Sequence, residues 1–494
     1  MPRCVTIAVI AILLLNGIGP VTRPVAAGTP FADPAFAQVW ARTDQPVALG
    51  LATRTWFWGP EPLTAAMHER YLSAPEQQRL VQYFDKGRME INDPSGDPAN
   101  PWYVTSGLLT RELISGRIQM DTGRFLDAGS GAAIAVAGDP DNAFPTYAAL
   151  RDLIDHGSTD QTAVPATRAL NPDGSTGIYP EAAADPGAVY AAYVSYLGPA
   201  GTPVGYNIPL AFWRFMTGSG LVTDLDGQLA TADPLFDWVF VLGYPLADPF
   251  WVQVRVAGVE RWVLVQPFER RVLTYTPGNP AGWEVEMGNI GRHYAGWRYA
   301  QTPPTPLGAD AARYALADGR AWTYSTTIGL DETWHITGRT DAFSGGTELV
   351  SRHETKWDGR HVSYWGAGDP GLLLYGADHL GADRSIADST VYWPPVHAFP
   401  ASEPTIGQSW STSTTALSLT GPPVQQTVNV RIAGYQLVST PAGTFTAWRL
   451  SVQIASTDQA TTRTMTVWFA PGTGVVQWLD GDFGAQLKAT TTAP

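Results

Sequence analysis

The side chains best placed to do chemistry come in pairs. Asp85-Lys86 follows Val81-Gln82-Tyr83-Phe84, and Glu269-Arg270 follows Val265-Gln266-Pro267-Phe268, so the same charged step recurs at one place in two copies of a motif. Two carboxylates facing each other across a pseudo-symmetric cleft, roughly 5 to 9.5 Å apart, could serve as acid and base in glycoside hydrolysis. Asp85 and Glu269 are therefore the catalytic candidates. The plainer reading is a charge pair at the turn of a hairpin, screened by solvent and worth roughly a few tenths of a kcal/mol. Nothing in the spacing brings the two carboxylates together, and the sequence favours the plainer reading.

Other chemistries find less support. His293, His335, His353, His361, His379 and His397 could supply imidazole ligands, and His335, His353 and His361 fall on neighbouring expected strands. His353-Glu354 lacks a second histidine at helical spacing, however, so the zinc-protease pattern is absent and no metal is expected. Gly218-Ser219-Gly220 and Gly129-Ser130-Gly131 lack the strand and spacing of a nucleophile elbow. No phosphate-binding loop or dinucleotide fingerprint is present, so no cofactor is expected. The single cysteine, Cys4, lies in a leader-like segment, which removes disulfides and thiolate sites from the mature chain. Among the nineteen tryptophans, Trp56, Trp58, Trp102, Trp283 and Trp297 could stack on sugar rings. Trp102 and Trp283 repeat at matching places and are expected to pack the core, which leaves Trp56 and Trp58 as ligand-binding candidates.

The elements that must position these residues follow from the repeat. After a loop of different length, Trp102-x-Val104-x-x-Gly107-x-Leu109-x-Arg111 matches Trp283-x-Val285-x-x-Gly288-x-Ile290-x-Arg292. Each copy reads as a β-hairpin, a short strand and a helix. Helical spacing is also read at Phe36, Val39 and Trp40, at Tyr190, Tyr193 and Leu197, and over 208–216. Residues 56–60 read as a strand ending at a turn. From residue 311 onward Ser, Thr, Val and aromatic residues alternate between turn signals such as Pro441-Ala442-Gly443, the pattern of an antiparallel sheet. The expected class is α+β: a mixed region of two related units, then a mainly antiparallel, half-barrel-like β domain. The expected division is a signal peptide 1–27, a first unit 28–157, a loop or linker 158–188, a second unit 189–300, a Pro-rich linker 301–310, the β domain 311–488 and a tail 489–494.

A chain of 494 residues needs more than one core. Its net charge of −14 and lack of a basic run argue against nucleic acid and anionic membrane surfaces. Arg3, an apolar run over 5–15 and Val25-Ala26-Ala27 have the form of a secretory leader. That run is shorter than the ~20 residues that span a bilayer, so the mature chain is expected to be secreted or held at the envelope without a transmembrane segment.

Two resemblances add to this reading. VQYFDKGRMEIN, NPWYVTSGLL, GYPLADPFW, QPFERRVLTYTP and WEVEMGNIGRHY resemble an uncharacterised secreted module of Chloroflexi-type bacteria, over about 270 residues. More remotely, Gly243-Tyr244-Pro245-Leu246 is similar to the LGFP repeat, found in proteins attached to bacterial cell walls, with Tyr244 in place of its Phe. Neither implies an activity; the second implies a wall polymer as partner. In the last third, Pro441-Ala442-Gly443-Thr444-Phe445 and Val467-Trp468-Phe469-Ala470-Pro471-Gly472 resemble domains related to periplasmic lipoprotein-carrier half-barrels. That likeness implies an apolar chain or partner segment held against the sheet.

The alternation puts Trp448, Leu450, Val452, Ile454, Met465, Val467 and Phe469 on one face, and Trp448, Leu450, Val452 and Phe469 are the ligand-binding candidates there. Either that face meets a ligand, or residues 366–425 fold over it and fill the core. The main functional expectation is a non-enzymatic envelope or surface protein that binds a wall glycan, an envelope protein or a lipid. The alternatives are a carboxylate-dependent extracellular hydrolase and a lipid or lipoprotein carrier acting through the β domain.

Overall fold

The computed structural model describes residues 29–128, 130–198, 201–299, 310–340 and 349–491. The leader 1–27 and the Pro-rich stretch up to 309 lie outside the described residues.

The first helix, Pro34–Ala48, is started by Asp33, whose carboxylate accepts from the Ala35 N–H at 2.7 Å. Each repeat then forms the expected unit. In the first, Gln78–Phe84 and Gly87–Ile91 make the hairpin, Thr105–Ser106 adds a short strand and Leu109–Ser115 is the helix. In the second the same places are taken by Val259–Pro267, Val272–Tyr275, Val285–Met287 and Ile290–Tyr299. Met67–Arg70 completes a four-stranded sheet on the first unit, and Phe250–Val256, Arg168–Leu170 and Thr176–Ile178 extend the second to six strands.

The two units interlock by exchanging contacts. The Arg111 N–H of the first helix donates to the Glu269 carbonyl at 3.2 Å, and the Arg292 N–H of the second donates to the Asp85 carbonyl, also at 3.2 Å. Lys86 donates to the Met287 carbonyl at 2.7 Å, while Arg270, its counterpart, donates to the Ser106 carbonyl. Each hairpin turn thus closes the helix start of the other unit, where backbone donors lack partners within the helix.

Three local readings of the sequence are corrected. Tyr190–Leu197 is a strand paired with Pro203–Pro209, because aromatic and Val content with a ready hairpin partner outweighs three apolar residues at helical spacing. Residues 55–60 are not a strand: Asp44, fully buried, accepts from the N–H groups of Phe57, Trp58 and Gly59 at 2.7 to 3.0 Å and folds them into a turn. Trp102 is 48% exposed and Trp283 half-buried, so neither is a central core residue. Trp102 instead lies on Phe240 from the other unit, ring centroids 6.0 Å apart. The stretch 158–188 contributes Arg168–Leu170 and Thr176–Ile178 to the larger sheet, with Ala169 paired to Trp251.

From Ala321 onward the chain forms twelve consecutive antiparallel strands that close into a barrel. Closure comes from Ala321–Thr326, which pairs with both Asp331–Thr340 and Phe483–Thr491. Residues 366–425 do not lie over an open sheet; they supply the strands Gly371–Leu380, Ile386–Pro400 and Ser409–Ser418 that complete the wall. The half-barrel expected from sequence is thus a full circle, which leaves no free sheet edge. Because the strands run up and down in order, successive turns alternate between the two ends.

The wall is apolar inside and polar outside. Val428, Val430, Leu450, Val452 and Met465 point inward, and between them Asn429, Arg431, Ser451, Gln453 and Thr464 point outward. That is the reverse of a lipid-facing barrel. On the outer face, Val391, Trp393 and Leu417 pack on Ile118, Met120 and Leu126 of the first region. Beside this contact Arg70 forms a buried ion pair with Asp378 and donates to the Tyr364 hydroxyl at 2.7 Å. Among the described residues no helix is long and apolar enough to cross a membrane.

Candidate functional site

Eight strands close around an interior that side chains can fill, and wider barrels leave room. With twelve strands this barrel keeps a cavity of about 330 Å³. Tyr314, Ala315 and Leu316, which follow the short helix Asp310–Arg313, plug one end. That plug is fixed by the rim: Arg313 donates to the carbonyls of Ala401 and Ser402, and the Gly472 N–H donates to the Arg313 carbonyl at 3.0 Å. The side wall is Leu372, Leu374, Val396, Val428, Val430, Leu450, Val452, Ile454, Met465, Val467 and Phe469, with the rings of Trp322, Tyr324, Trp334, Trp365 and Tyr392. The turns at the far end carry exposed Ile328, Leu330 and Trp357.

Polar groups on the wall are few. Tyr324 and Trp322 spend their donors on the carbonyls of Val475 and Thr473, each at 2.8 Å. His397 is half-buried with Nε2 at 3.2 Å from the Phe399 carbonyl, and burial pushes its imidazole down toward the neutral form. The exception is Arg352. Its guanidinium carbon lies 4.5 Å from the Trp334 ring centre and 4.8 Å from that of Trp365, a cation held between two aromatic faces. Arg352 also bonds Glu354 through Nε at 2.9 Å and Nη2 at 2.7 Å. Burial pushes the Glu354 carboxyl up, but Arg352 and Lys356 outweigh it and hold the group at about 2.

Of the sequence candidates, Leu450, Val452 and Phe469 line the cavity. Trp448 shares their face and core but lies at a tilt against Tyr435, with centroids 4.2 Å apart. Trp58 is 1% exposed, with the Arg271 guanidinium 4.8 Å over its ring, so its face is occupied. Trp56 is half-buried. Asp85 and Glu269 belong to neither the barrel cavity nor the groove described next. Each is held by an arginine of the other unit: Arg292 on Asp85 at 2.6 Å, and Arg111 near Glu269 at 3.7 Å.

The histidines do gather. His335 and His353 pair across strands with ring centres 5.6 Å apart, and His361 and His379 stack at 4.7 Å. His335, His353 and His361 line a polar groove of about 680 Å³ between the barrel and the first region, beside Arg70 and Asp378. Among the described residues no three His, Cys, Asp or Glu side chains are grouped to hold a metal ion.

Two features escape sequence reading. One is Arg352, which looks like an ordinary charged strand residue until register places it inward. The other is a buried network in the first region, where Arg79, Arg88 and Arg298 meet Glu69, Glu90 and Glu112. The only available signal was charge on strands whose two faces are both buried, as in Gly87–Ile91.

No protein-family model matches the chain, and no curated protein does. Among solved structures, it is similar to a candidate lipoprotein from Parabacteroides distasonis, at 11% identity and a TM-score of 0.21, over 36% of this chain and 96% of that one. A candidate exported protein with a YmcC-like fold from Bacteroides fragilis matches at 13% identity and a TM-score of 0.20, over 36% of this chain and 97% of that one. What the barrel can do follows from its own geometry.

Proposed function

We propose that this is an exported binding protein whose barrel holds an apolar chain, with the repeat-containing region serving as the platform on which the barrel is mounted. The observation that carries the reading is the cavity. Its volume falls at the lower end of the range for small-molecule sites, its wall is aliphatic and aromatic, and few polar groups interrupt it. A well-packed domain of this size would close such a space, because an empty cavity forfeits contacts on every side. The space is on the scale of one medium-length acyl chain.

The test is titration of the full chain with the neutral apolar fluorophore N-phenyl-1-naphthylamine. Saturable enhancement at one site, weakened in Leu450→Trp, which takes up part of the space, supports the reading. Absence of saturable binding, or binding that Leu450→Trp leaves unchanged, contradicts it.

A further inference from the structure

We propose that the ligand of the barrel is an anionic amphiphile, its chain in the cavity and its carboxylate or phosphate head on Arg352. This rests on the cavity reading above and specifies the head group.

A guanidinium stays protonated wherever it is placed, so an arginine on an apolar wall is a fixed positive charge that needs an anion. Glu354 supplies one, but it is shared. It accepts from Arg352, from Lys356 Nζ at 2.7 Å and from Ser363 Oγ at 2.8 Å. Two cations thus meet one carboxylate. The other acid nearby is Glu332, fully buried beside Lys356, and burial pushes its carboxyl up toward the neutral form. Asp358, farther out on the turn, is engaged with His361 at 3.1 Å. Glu354 is thus the one carboxylate that Arg352 and Lys356 share.

A donor of the Arg352 guanidinium is also left over. Arg352 spends Nε and Nη2 on Glu354, and among the described residues Nη1 has no acceptor at hydrogen-bond distance. Trp334 Nε1, on the indole beneath the guanidinium, is buried without an acceptor among the described residues. An anionic head meets Nη1 and the charge of the guanidinium; a hydroxyl meets Nη1 without the charge, and an ammonium is repelled. The site is also built to hold still: the Trp365 N–H donates to Ser363 Oγ at 2.8 Å, and Ser363 donates to Glu354, so one face of the sandwich and the carboxylate that holds Arg352 are tied together before a ligand arrives.

The experiment compares four ligands of one chain length on the full protein by calorimetry: dodecanoate, dodecyl phosphate, dodecanol and dodecylammonium. The expected result is that at least one anion binds roughly tenfold or more tighter than dodecanol, the margin of a charge-assisted hydrogen bond, and that dodecylammonium binds weakest. Which anion leads tells a fatty acid from a phospholipid-like ligand. Arg352→Gln should abolish the preference for the anions over dodecanol, and Arg352→Lys should restore part of it. Equal binding of all four, or a preference that survives Arg352→Gln, overturns the head-group assignment and leaves the cavity reading standing. If no compound binds, dodecanol included, the cavity reading fails and takes this inference with it.

Discussion

Arg292 donates to the Asp85 carboxylate at 2.6 Å, from the helix of one repeat to the hairpin turn of the other. The relation is reciprocal, since Arg111 stands toward Glu269 as Arg292 stands toward Asp85. The recurrence of a carboxylate and an arginine in both copies therefore has an architectural explanation: each unit is completed by its twin. The Asp85 pair is largely solvent-exposed, so Asp85→Asn is expected to cost only about 0.2–1 kcal/mol. Chemical denaturation of Asp85→Asn, Arg292→Gln and the double variant measures the coupling, and a coupling of several kcal/mol would contradict the account.

The close approach of the two units makes a sharper prediction. A Cβ on Gly291 would lie 2.0 Å from the Phe84 carbonyl oxygen, whereas one on Gly296, in the same helix, would meet nothing within 4 Å. Gly291→Ala should destabilise by more than about 3 kcal/mol or prevent folding, because backbone has to move. Gly296→Ala should be neutral or stabilising by up to about 1 kcal/mol. Thermal unfolding of the two variants checks this, and equal stabilities would count against the interlocked arrangement.

The barrel is joined to the first region by a buried charge pair and an apolar patch. Removing one member of a buried pair leaves the other charge unsatisfied, at about 3–5 kcal/mol. Arg70→Ala is expected to loosen the docking and split a single unfolding transition into two, one for each region. Scanning calorimetry reads this directly; a single transition merely shifted downward would show that the regions do not unfold as separate units.

Acid should weaken the barrel. The folded-state value of Glu354 lies below the ordinary carboxylate value, so its contribution is fully present above roughly pH 4.3 and is lost as the pH falls through about 2. That contribution is on the order of 3 kcal/mol. Glu354→Gln should be less stable than the parent at neutral pH, with the gap closing toward pH 2. A gap that stays constant with pH would place the acid sensitivity elsewhere.

Much of this architecture was legible in the sequence. The repeat fixed the hairpin, strand and helix order in both units, and alternation over 448–454 and 465–469 put Leu450, Val452 and Phe469 on the inward face. Closure was not legible, because pairing between Ala321–Thr326 and Phe483–Thr491 joins segments some 160 residues apart, and local patterning carries no record of such a contact. Trp102 misled for a related reason: repetition marks a shared role, but here that role lies at the seam between units, outside either core. Arg352 was invisible because, next to His353, Glu354 and Lys356 in the same strand, it reads as one of several solvated charges until the register is known.

The barrel interior is expected to take up an apolar chain. Methyl-labelled protein titrated with dodecanol and followed by nuclear magnetic resonance reports this residue by residue. Shifts concentrated on the methyls of Leu450, Val452, Ile454, Met465 and Val467, with Leu113 and Ile114 of the first region unmoved, are the result expected. Unperturbed cavity methyls at saturating dodecanol, or shifts confined to the first region, would contradict it.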